Sequence, residues 1–286
     1  MSRSYPELKG KVAIVTGAGR AQGLGAAIAL RLGAEGASVV IHDIGRAKGD
    51  FASASNVGLG EEMESVAKAV RDAGGQANTF SGDMLVEADV EAMVAHAVSS
   101  FGRLDILVNN AGVGFVFGPL TEMTQAQWDV VQGVNLRGSF FAMKHAARRM
   151  MAQPPLEGWG RGRIVSVASR AAKSGSALTS AYTASKHGLI GLTRSAAIEF
   201  GAHAITVNAV CPNHVTTGLG AWQNDYMSKA RGQTVDEYLA AMRARIPLGR
   251  LGTAADTANA CAFLCSAEAG FITGEAMNVS GGDEYH

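Results

Sequence analysis

The chain has 286 residues, of which 47% are hydrophobic and 17% charged, and its 25 basic and 25 acidic side chains balance to a formal net charge of zero. This balance argues against a nucleic-acid partner, the apolar runs fall short of the ~18 residues that cross a bilayer, and the first ten residues lack the apolar core of a signal peptide. We therefore expect a cytoplasmic protein without nucleic-acid or membrane contacts, whose three cysteines are reduced and form no metal site.

The first pattern along the chain consists of a short apolar strand, a glycine-rich turn, an apolar-periodic helix and a second strand that ends in Asp43. The turn has the sequence TGAGRAQGLG at residues 16–25. This order is typical of the βαβ unit that binds a dinucleotide. Gly17 would close the turn, Gly23 and Gly25 would admit a pyrophosphate to the backbone, and the helix N-terminus would offer free N–H groups to the phosphates.

Asp43 predicts the choice of cofactor. A carboxylate at the end of the second strand can accept hydrogen bonds from the ribose hydroxyls of NAD. The 2′-phosphate of NADP would meet a like charge there, at a gross Coulomb cost of about 4 kcal/mol at ~4 Å in an effective dielectric near 20. Arg20, Arg46 and Lys48 are the competing signal, since loop cations can bind that phosphate. We predict NAD rather than NADP, because a strand end fixes Asp43 while the cations lie on loops.

The rest of the chain alternates strand and helix patterns. Amphipathic helices are predicted over residues 61–75 and 86–102, and residues 45–60 and 151–162 are interpreted as loops, the latter on the surface. No linker or repeat divides residues 1–286. We therefore predict an α/β fold, a single-domain Rossmann-type doubly wound parallel sheet with helices on both faces.

The chemistry is predicted from Tyr182 and Lys186, four residues apart in SAYTASKHG, and from Ser169, at the end of the apolar run RIVSVAS. Residues four apart share one helix face, with Cβ atoms roughly 5–6 Å apart. A free tyrosine ionises near pH ~10, and a nearby cation lowers that pKa. Lys186 is therefore expected to make Tyr182 a general acid or base, while the Ser169 hydroxyl binds a substrate oxygen.

Together these segments resemble the short-chain dehydrogenase/reductase family over nearly the whole chain, from about Gly10 to Gly282. Further motifs of that family follow in order, namely LDILVNNAG, VNLRGSFF, PNHVTTG and ITGEAMNVSGG. The resemblance implies an NAD(P)-dependent dehydrogenase or reductase acting on CH–OH groups. Its implied catalytic residues are Asn135, Ser169, Tyr182 and Lys186, with Asn135 positioning a water that links Lys186 to solvent.

The resemblance also implies a set of cofactor contacts. These are Gly17, Arg20, Gly23, Leu24, Gly25, Asp43, Asp83, Met84, Asn110, Ala111, Gly112, Tyr182, Lys186, Pro212, Val215 and Thr217. Asp83 is expected to face the adenine ring, Asn110 to border the cofactor, and Lys186 to hold its ribose. Two features depart from the family pattern: Asn213 stands where glycine usually follows the proline, and the loop at 151–162 is longer than usual.

Substrate selection is predicted for residues 213–250, which in relatives fold over the nicotinamide as a lid, and for the wall at 170–180. Ser176, Asn213 and Trp222 are the candidate substrate contacts. For Trp222 a purely structural role in packing the lid stays open. The small, hydroxyl and basic residues of the wall suit a polyol or sugar-like substrate and equally admit a small ketone.

The predicted function is NAD-dependent hydride transfer between a nicotinamide and a secondary alcohol or ketone, with a small-molecule substrate. Two alternatives remain open: a reductase of carrier-bound 3-oxoacyl groups, and a catalytically silent dinucleotide-binding sensor or scaffold. The family resemblance further implies a homo-oligomer, either a tetramer or a dimer.

Overall fold

The computed structural model describes residues 4–48, 57–114, 116–215 and 217–285, without the side chains of residues 218–222. Its strands are β1 (Val12–Val15), β2 (Ser38–Asp43), β3 (Gln76–Ser81), β4 (Ile106–Asn109), β5 (Gly162–Val167), β6 (Ile205–Pro212) and β7 (Ala276–Val279). They form one parallel sheet in the order β3-β2-β1-β4-β5-β6-β7. The chain order reverses between β1 and β4, and ligands of such sheets bind beyond the carboxyl ends of the strands at this point.

Helices cover both faces of this sheet. They are α1 (Leu24–Ala34), α2 (Gly60–Asp72), α3 (Glu87–Phe101), α4 (Gln125–Gln132), α5 (Ser139–Ala152), α6 (Ser180–Gly201), α7 (Gly218–Ala230), α8 (Val235–Arg245) and α9 (Ala254–Cys265). Helices α1, α2 and α9 pack in one core layer, and α3, α5 and α6 in the other. The predicted Rossmann-type doubly wound fold is confirmed.

The two core layers follow from the strand sequences. In β1, Ala13 and Val15 contribute to the layer under α1, while Val12 and Ile14 contribute to the layer under α3 and α5. Successive side chains of a strand point to opposite faces, and a parallel strand covered on both faces is therefore apolar throughout. This is why VAIV and ILVN are buried at every position.

The segment 151–162 was predicted to be a surface loop, and between the end of α5 and the start of β5 the chain is a loop with Pro154, Pro155, Glu157 and Gly158 exposed. Its Trp159 is 5% exposed, donates from Nε1 to the carbonyl of Cys265 at 3.2 Å, and lies under the guanidinium of Arg163. The prolines and glycines set the turns, but the indole attaches the segment to α9.

The cysteines at 211, 261 and 265 are free and buried, and no helix in the described ranges combines the length and hydrophobicity needed to cross a bilayer.

Candidate active site

A cavity of about 540 Å³ lies at the carboxyl ends of the strands. It is lined by most of the residues predicted from the sequence, namely Gly17, Arg20, Gly23, Leu24, Asp43, Asp83, Met84, Asn110, Ala111, Gly112, Ser169, Ser176, Tyr182, Lys186, Pro212, Asn213, Val215 and Thr217. Two predicted residues, Gly25 and Asn135, support the walls from behind. The side chain of Trp222 lies outside the described residues, so its predicted role stays a prediction.

The glycine turn and the end of β4 fit closely together. The Asn110 amide donates to the carbonyls of Thr16 and Gly17, both at 2.9 Å, and the Thr16 hydroxyl accepts from the backbone N–H of Asn110 at 3.0 Å. A Cβ on Gly17, whose φ is +63°, would lie 2.7 Å from Ala111 Cα, and one on Gly25 would lie 2.5 Å from the Gly17 carbonyl. Asn110 therefore fixes the turn that faces the cavity.

Asp43 is the acidic group at the end of β2, and it organises the loops around it. Its Oδ2 accepts from the backbone N–H of Gly19 at 3.0 Å and its Oδ1 from that of Ile44 at 2.9 Å, with a further backbone hydrogen bond from Gly58. Burial raises the pKa of Asp43, while these donors and the charge of Arg20 act to lower it. A carboxylate offers about four acceptor positions, so one remains for a ligand hydroxyl.

Asp83 faces the same end of the cavity and is paired. Its Oδ2 accepts from Lys48 Nζ at 2.6 Å, and its Oδ1 accepts from the backbone N–H of Leu85 at 2.9 Å. Lys48 was one of the cations considered for a 2′-phosphate. It is instead directed to Asp83, which weakens the argument for NADP.

The predicted catalytic side chains meet on the opposite side of the cavity. The hydroxyl groups of Tyr182 and Ser169 are hydrogen-bonded to each other, and the Ser169 Oγ also accepts from the backbone N–H of Ala171 at 3.1 Å. Helix α6 places Lys186 Nζ 5.6 Å from the Tyr182 ring centroid, where it donates to the carbonyl of Val167 at 2.7 Å. The spacing in the sequence thus brings the phenol, the hydroxyl and the amine together at the end of β5.

Burial controls the protonation of this group. It raises the pKa of the Tyr182 phenol, an effect that the Ser169 hydrogen bond partly offsets, and it lowers the pKa of Lys186 to about 8. The sequence-based expectation that Lys186 lowers the pKa of Tyr182 does not hold in the free protein. The reason is that both groups are desolvated and the amine is directed to Val167.

Asn135 lies on a π-helical segment, Gly133–Gly138, between α4 and α5, and such segments occur frequently at functional sites. Its Oδ1 accepts from the backbone N–H of Val113 at 2.7 Å, and its Nδ2 donates to the carbonyl of Val113 at 3.1 Å and to Ser185 Oγ at 3.0 Å. The amide therefore holds the chain after β4 against α6. A water bound here would have to use a remaining oxygen lone pair of Asn135.

The turn after β6 is joined to the C-terminal segment. Asn213 Nδ2 donates to Asp283 Oδ2 at 3.0 Å, and its backbone N–H donates to the carbonyl of Val279 at 3.2 Å. The neighbouring His214 is 8% exposed and hydrogen-bonded to Asn224, while its Nε2 has no hydrogen-bond partner among the described residues. Burial lowers the pKa of His214, so the ring favours its neutral form. The substitution of glycine by asparagine thus links the turn to the tail.

The predicted lid borders the substrate end of the cavity. Met227 on α7 and Tyr238 and Met242 on α8 line it, and Phe117 stacks on Tyr226 with ring centroids 5.4 Å apart. Ser176, which also lines the cavity, is exposed, and its hydroxyl lies 3.4 Å from the carbonyl of Ala177.

Four further residues that line the cavity lie in the predicted wall and lid segments but were not singled out from the sequence, namely Arg170, His214, Arg231 and Arg245. Asp283, which lies behind Arg170 and Arg245, was missed. Arg170 could have been noticed because it follows Ser169 directly. Nothing in the sequence indicated that Asp283 returns to the site.

Comparison with known proteins identifies the family of this chain. A family model described as enoyl-(acyl carrier protein) reductase matches residues 17–284. Cis-4-hydroxycyclohexanecarboxylate dehydrogenase of Sinomonas cyclohexanicum is 39% identical over 272 residues, covering 95% of this chain and 96% of that protein. A 3-oxoacyl-(acyl-carrier-protein) reductase of Staphylococcus aureus is 35% identical over 272 residues, covering 95% and 97%. The solved structure of carveol dehydrogenase from Mycobacterium avium in complex with NAD superposes with a TM-score of 0.87 at 31% identity, covering 96% and 98%. The chain is therefore an oxidoreductase that belongs to the short-chain dehydrogenase/reductase family.

Proposed function

We propose that this protein is an NAD-dependent oxidoreductase that interconverts a secondary alcohol and the corresponding ketone. The observation that carries the proposal is the hydrogen-bonded pair of Tyr182 and Ser169, with Lys186 beside it, in a cavity whose other end contains Asp43. Proton exchange at an alcohol and selection of a ribose are the two tasks that this arrangement suits.

The residues present are compatible with a dinucleotide. Added Cβ atoms at Gly17 and Gly25 would lie 2.7 and 2.5 Å from neighbouring backbone, so these glycines let the turn pack closely against α1 and the end of β4. Gly17 and Gly23 of this turn line the cavity, where a pyrophosphate would approach. Asp43 keeps one acceptor position for a ribose hydroxyl, and Lys186 borders the same cavity. When bound, the nicotinamide supplies the carbon that gives or takes the hydride.

The protein residues divide the remaining work. Ser169 donates a hydrogen bond to the substrate oxygen. As the phenolate, Tyr182 takes the alcohol proton in oxidation, and as the phenol it gives that proton back in reduction. Lys186 holds the ribose and, once turned away from Val167, places its charge near the phenol. Asn135 keeps the wall after β4 in position through Val113.

The test is a turnover assay that follows NADH absorbance over polyols, sugars, secondary alcohols and hydroxy acids. Oxidation of at least one class with NAD supports the proposal. Absence of turnover with both NAD and NADP, despite binding of a dinucleotide, would support a silent sensor or scaffold instead.

The second candidate within the enzyme class is a reductase of carrier-bound 3-oxoacyl groups, which the 35% identity to the Staphylococcus aureus protein favours. That activity would favour NADP as the cofactor and a basic docking face on the protein. Asp43 and the zero net charge argue against both. Comparing an acyl-carrier thioester with free alcohols as substrates decides between the two.

Replacing Lys186 by alanine is expected to damage both chemistry and cofactor binding, because one side chain is proposed for two tasks. We expect kcat to fall by about 10²-fold or more and the Kd for NAD to rise at least about tenfold. Steady-state kinetics and NAD titration measure the two effects. Lys68→Ala, on the exposed side of α2, is the matched control. If Lys186→Ala bound NAD as tightly as the wild type, the proposed contact between Lys186 and the ribose would be contradicted.

The lid is proposed to comprise residues 217–245, which include α7 and α8. Segments that close over ligands come from the least stable part of a fold. Hydrogen exchange should therefore be faster here than in β5 and β6 of the free protein, and should slow when NAD and a substrate analogue bind together. Equal hydrogen exchange in the free and ternary states would show that α7 and α8 do not close over the ligands.

Trp222→Ala tests the same lid from the substrate side. It should change substrate preference and KM more than the Kd for NAD, whereas Trp128→Ala on α4, whose side chain lies outside the cavity lining, should change neither.

The expected homotetramer or dimer and the cytoplasmic location remain proposals. Light scattering of the purified chain tests the assembly.

A further inference from the structure

The substrate end of the cavity has an uneven charge distribution. Arg170 follows β5, Arg231 follows α7 and Arg245 ends α8, and all three line this end. Among the described lining residues the acids are Asp43 and Asp83. Both lie beyond β2 and β3, on the other side of β1 from the arginines. Three cations therefore line this part of the cavity, and no acidic side chain of the described lining residues lies on their side of β1.

Asp283 lies behind two of these arginines and neutralises them only in part. Its Oδ2 is 3.4 Å from Arg245 Nη2 and 3.8 Å from Arg170 Nε, while its short contact, 3.0 Å, goes to Asn213. A charge-assisted N–H···O bond is typically about 2.7–2.9 Å. The two arginine contacts are longer than that. Asp283 therefore lies close enough to attract both guanidinium groups but makes a short hydrogen bond to neither.

The guanidinium groups keep donors for a ligand. Each has five N–H donors, of which Arg245 uses one on Asp283, and Arg170 makes a long contact of 3.4 Å to Ser174. Arg231 stacks over the Tyr238 ring at 5.2 Å, which fixes the third cation on the lid side. Arginine forks of this kind match the geometry of a carboxylate.

The cavity also has an apolar part. Val130, Val134, Met227 and Met242 line it, beside polar residues such as Thr179 and Gln223. A ligand with an apolar body would bury that body against the valines and methionines. Hydroxyl groups placed against those four side chains would lack partners, at a cost.

We infer that the substrate is a hydroxy or keto acid with an apolar body, whose carboxylate binds Arg170 and Arg245, assisted by Arg231, while its carbinol carbon lies at Tyr182 and Ser169. This inference rests on the proposed dehydrogenase function and names the substrate class of the same site. The relative from Sinomonas cyclohexanicum is named for a hydroxy acid with a cyclohexane body, which makes cis-4-hydroxycyclohexanecarboxylate a suitable probe.

The test compares cis-4-hydroxycyclohexanecarboxylate with the corresponding carboxamide, which has nearly the same shape and no charge. For the wild-type protein with NAD, we expect kcat/KM to favour the acid over the amide at least about tenfold, and high salt to reduce that ratio. Arg245→Gln and Arg170→Gln should each lower the acid-to-amide ratio about tenfold or more. Arg243→Gln, an exposed position on α8 outside the cavity lining, should leave the ratio unchanged.

A binding measurement separates this inference from the proposed function. Thermal shift of the NAD-bound protein reports binding of either probe without turnover, and the acid should stabilise the wild type more than the amide does. Turnover of neutral alcohols with equal preference for acid and amide would overturn the inference and leave the dehydrogenase intact. Selective binding of the acid without any turnover would support the carboxylate site and contradict the dehydrogenase function. If Arg245→Gln and Arg170→Gln weakened the binding of the acid and of the amide equally, the arginines would only support the fold.

Discussion

Tyr182→Phe is expected to lower kcat by about 10²–10⁴-fold while the Kd for NAD changes by no more than a few-fold. The change removes one oxygen, which is the proposed proton donor and acceptor and the hydrogen-bond partner of Ser169. It keeps the ring, and with it the packing of α6 against the cavity. Steady-state turnover and a direct NAD titration give the two quantities.

The matched control is Tyr5→Phe, which removes the phenolic oxygen of a tyrosine that stacks under Arg31 and lies outside the cavity lining. It should leave turnover unchanged. If Tyr182→Phe retained wild-type turnover, proton transfer by this phenol would be excluded. The large loss must also occur in both directions, because the group that takes a proton in oxidation returns it in reduction.

The local parts of this site could be predicted from the sequence because short spacings determine them. Gly17 and Gly23 lie between β1 and α1, and Gly25 lies in the first turn of α1. Tyr182 and Lys186 are four residues apart on α6. In both cases the helix or strand period fixes the relative positions. The order of strand and helix patterns likewise leaves few topologies besides the doubly wound sheet.

The long-range contacts could not be predicted in this way. Asp283 meets Asn213 across 70 residues of chain, and Trp159 reaches Cys265 across 106 residues. Such pairs depend on how loops pack after the sheet has formed, and no periodicity encodes them. For the same reason the sequence did not predict that Arg170, Arg231 and Arg245 line one cavity, since they come from three separate elements.

The protonation of the site was also beyond the sequence. The spacing of Tyr182 and Lys186 indicates that a cation is near a phenol, but it does not give the burial of either. In the free protein desolvation dominates both pKa values, and it raises that of Tyr182. The favourable effect of Lys186 on the phenol is expected only when a bound ligand draws the amine away from the Val167 carbonyl.

Asp43→Asn is expected to lower the preference for NAD over NADP, measured as the ratio of the two kcat/KM values, by at least an order of magnitude, or ~1.4 kcal/mol. Asparagine removes the charge that would repel a 2′-phosphate, and it leaves Arg20 beside Asp43 free to attract that phosphate. It also keeps one oxygen to accept the backbone N–H of Gly19 or Ile44. The alanine variant would remove both acceptors and disturb the glycine turn.

Because Asp43 supports Gly19, Ile44 and Gly58, the Asn variant should also lose some stability and bind both cofactors less tightly. The ratio of the two kcat/KM values separates the loss of charge from this shared loss, since a loosened turn weakens NAD and NADP alike. Asp72→Asn provides the comparison. It neutralises an exposed carboxylate on α2 outside the cavity lining, so the ratio should stay within about twofold. A wild-type protein that already prefers NADP, or an Asp43→Asn variant with an unchanged ratio, would contradict the role assigned to this carboxylate.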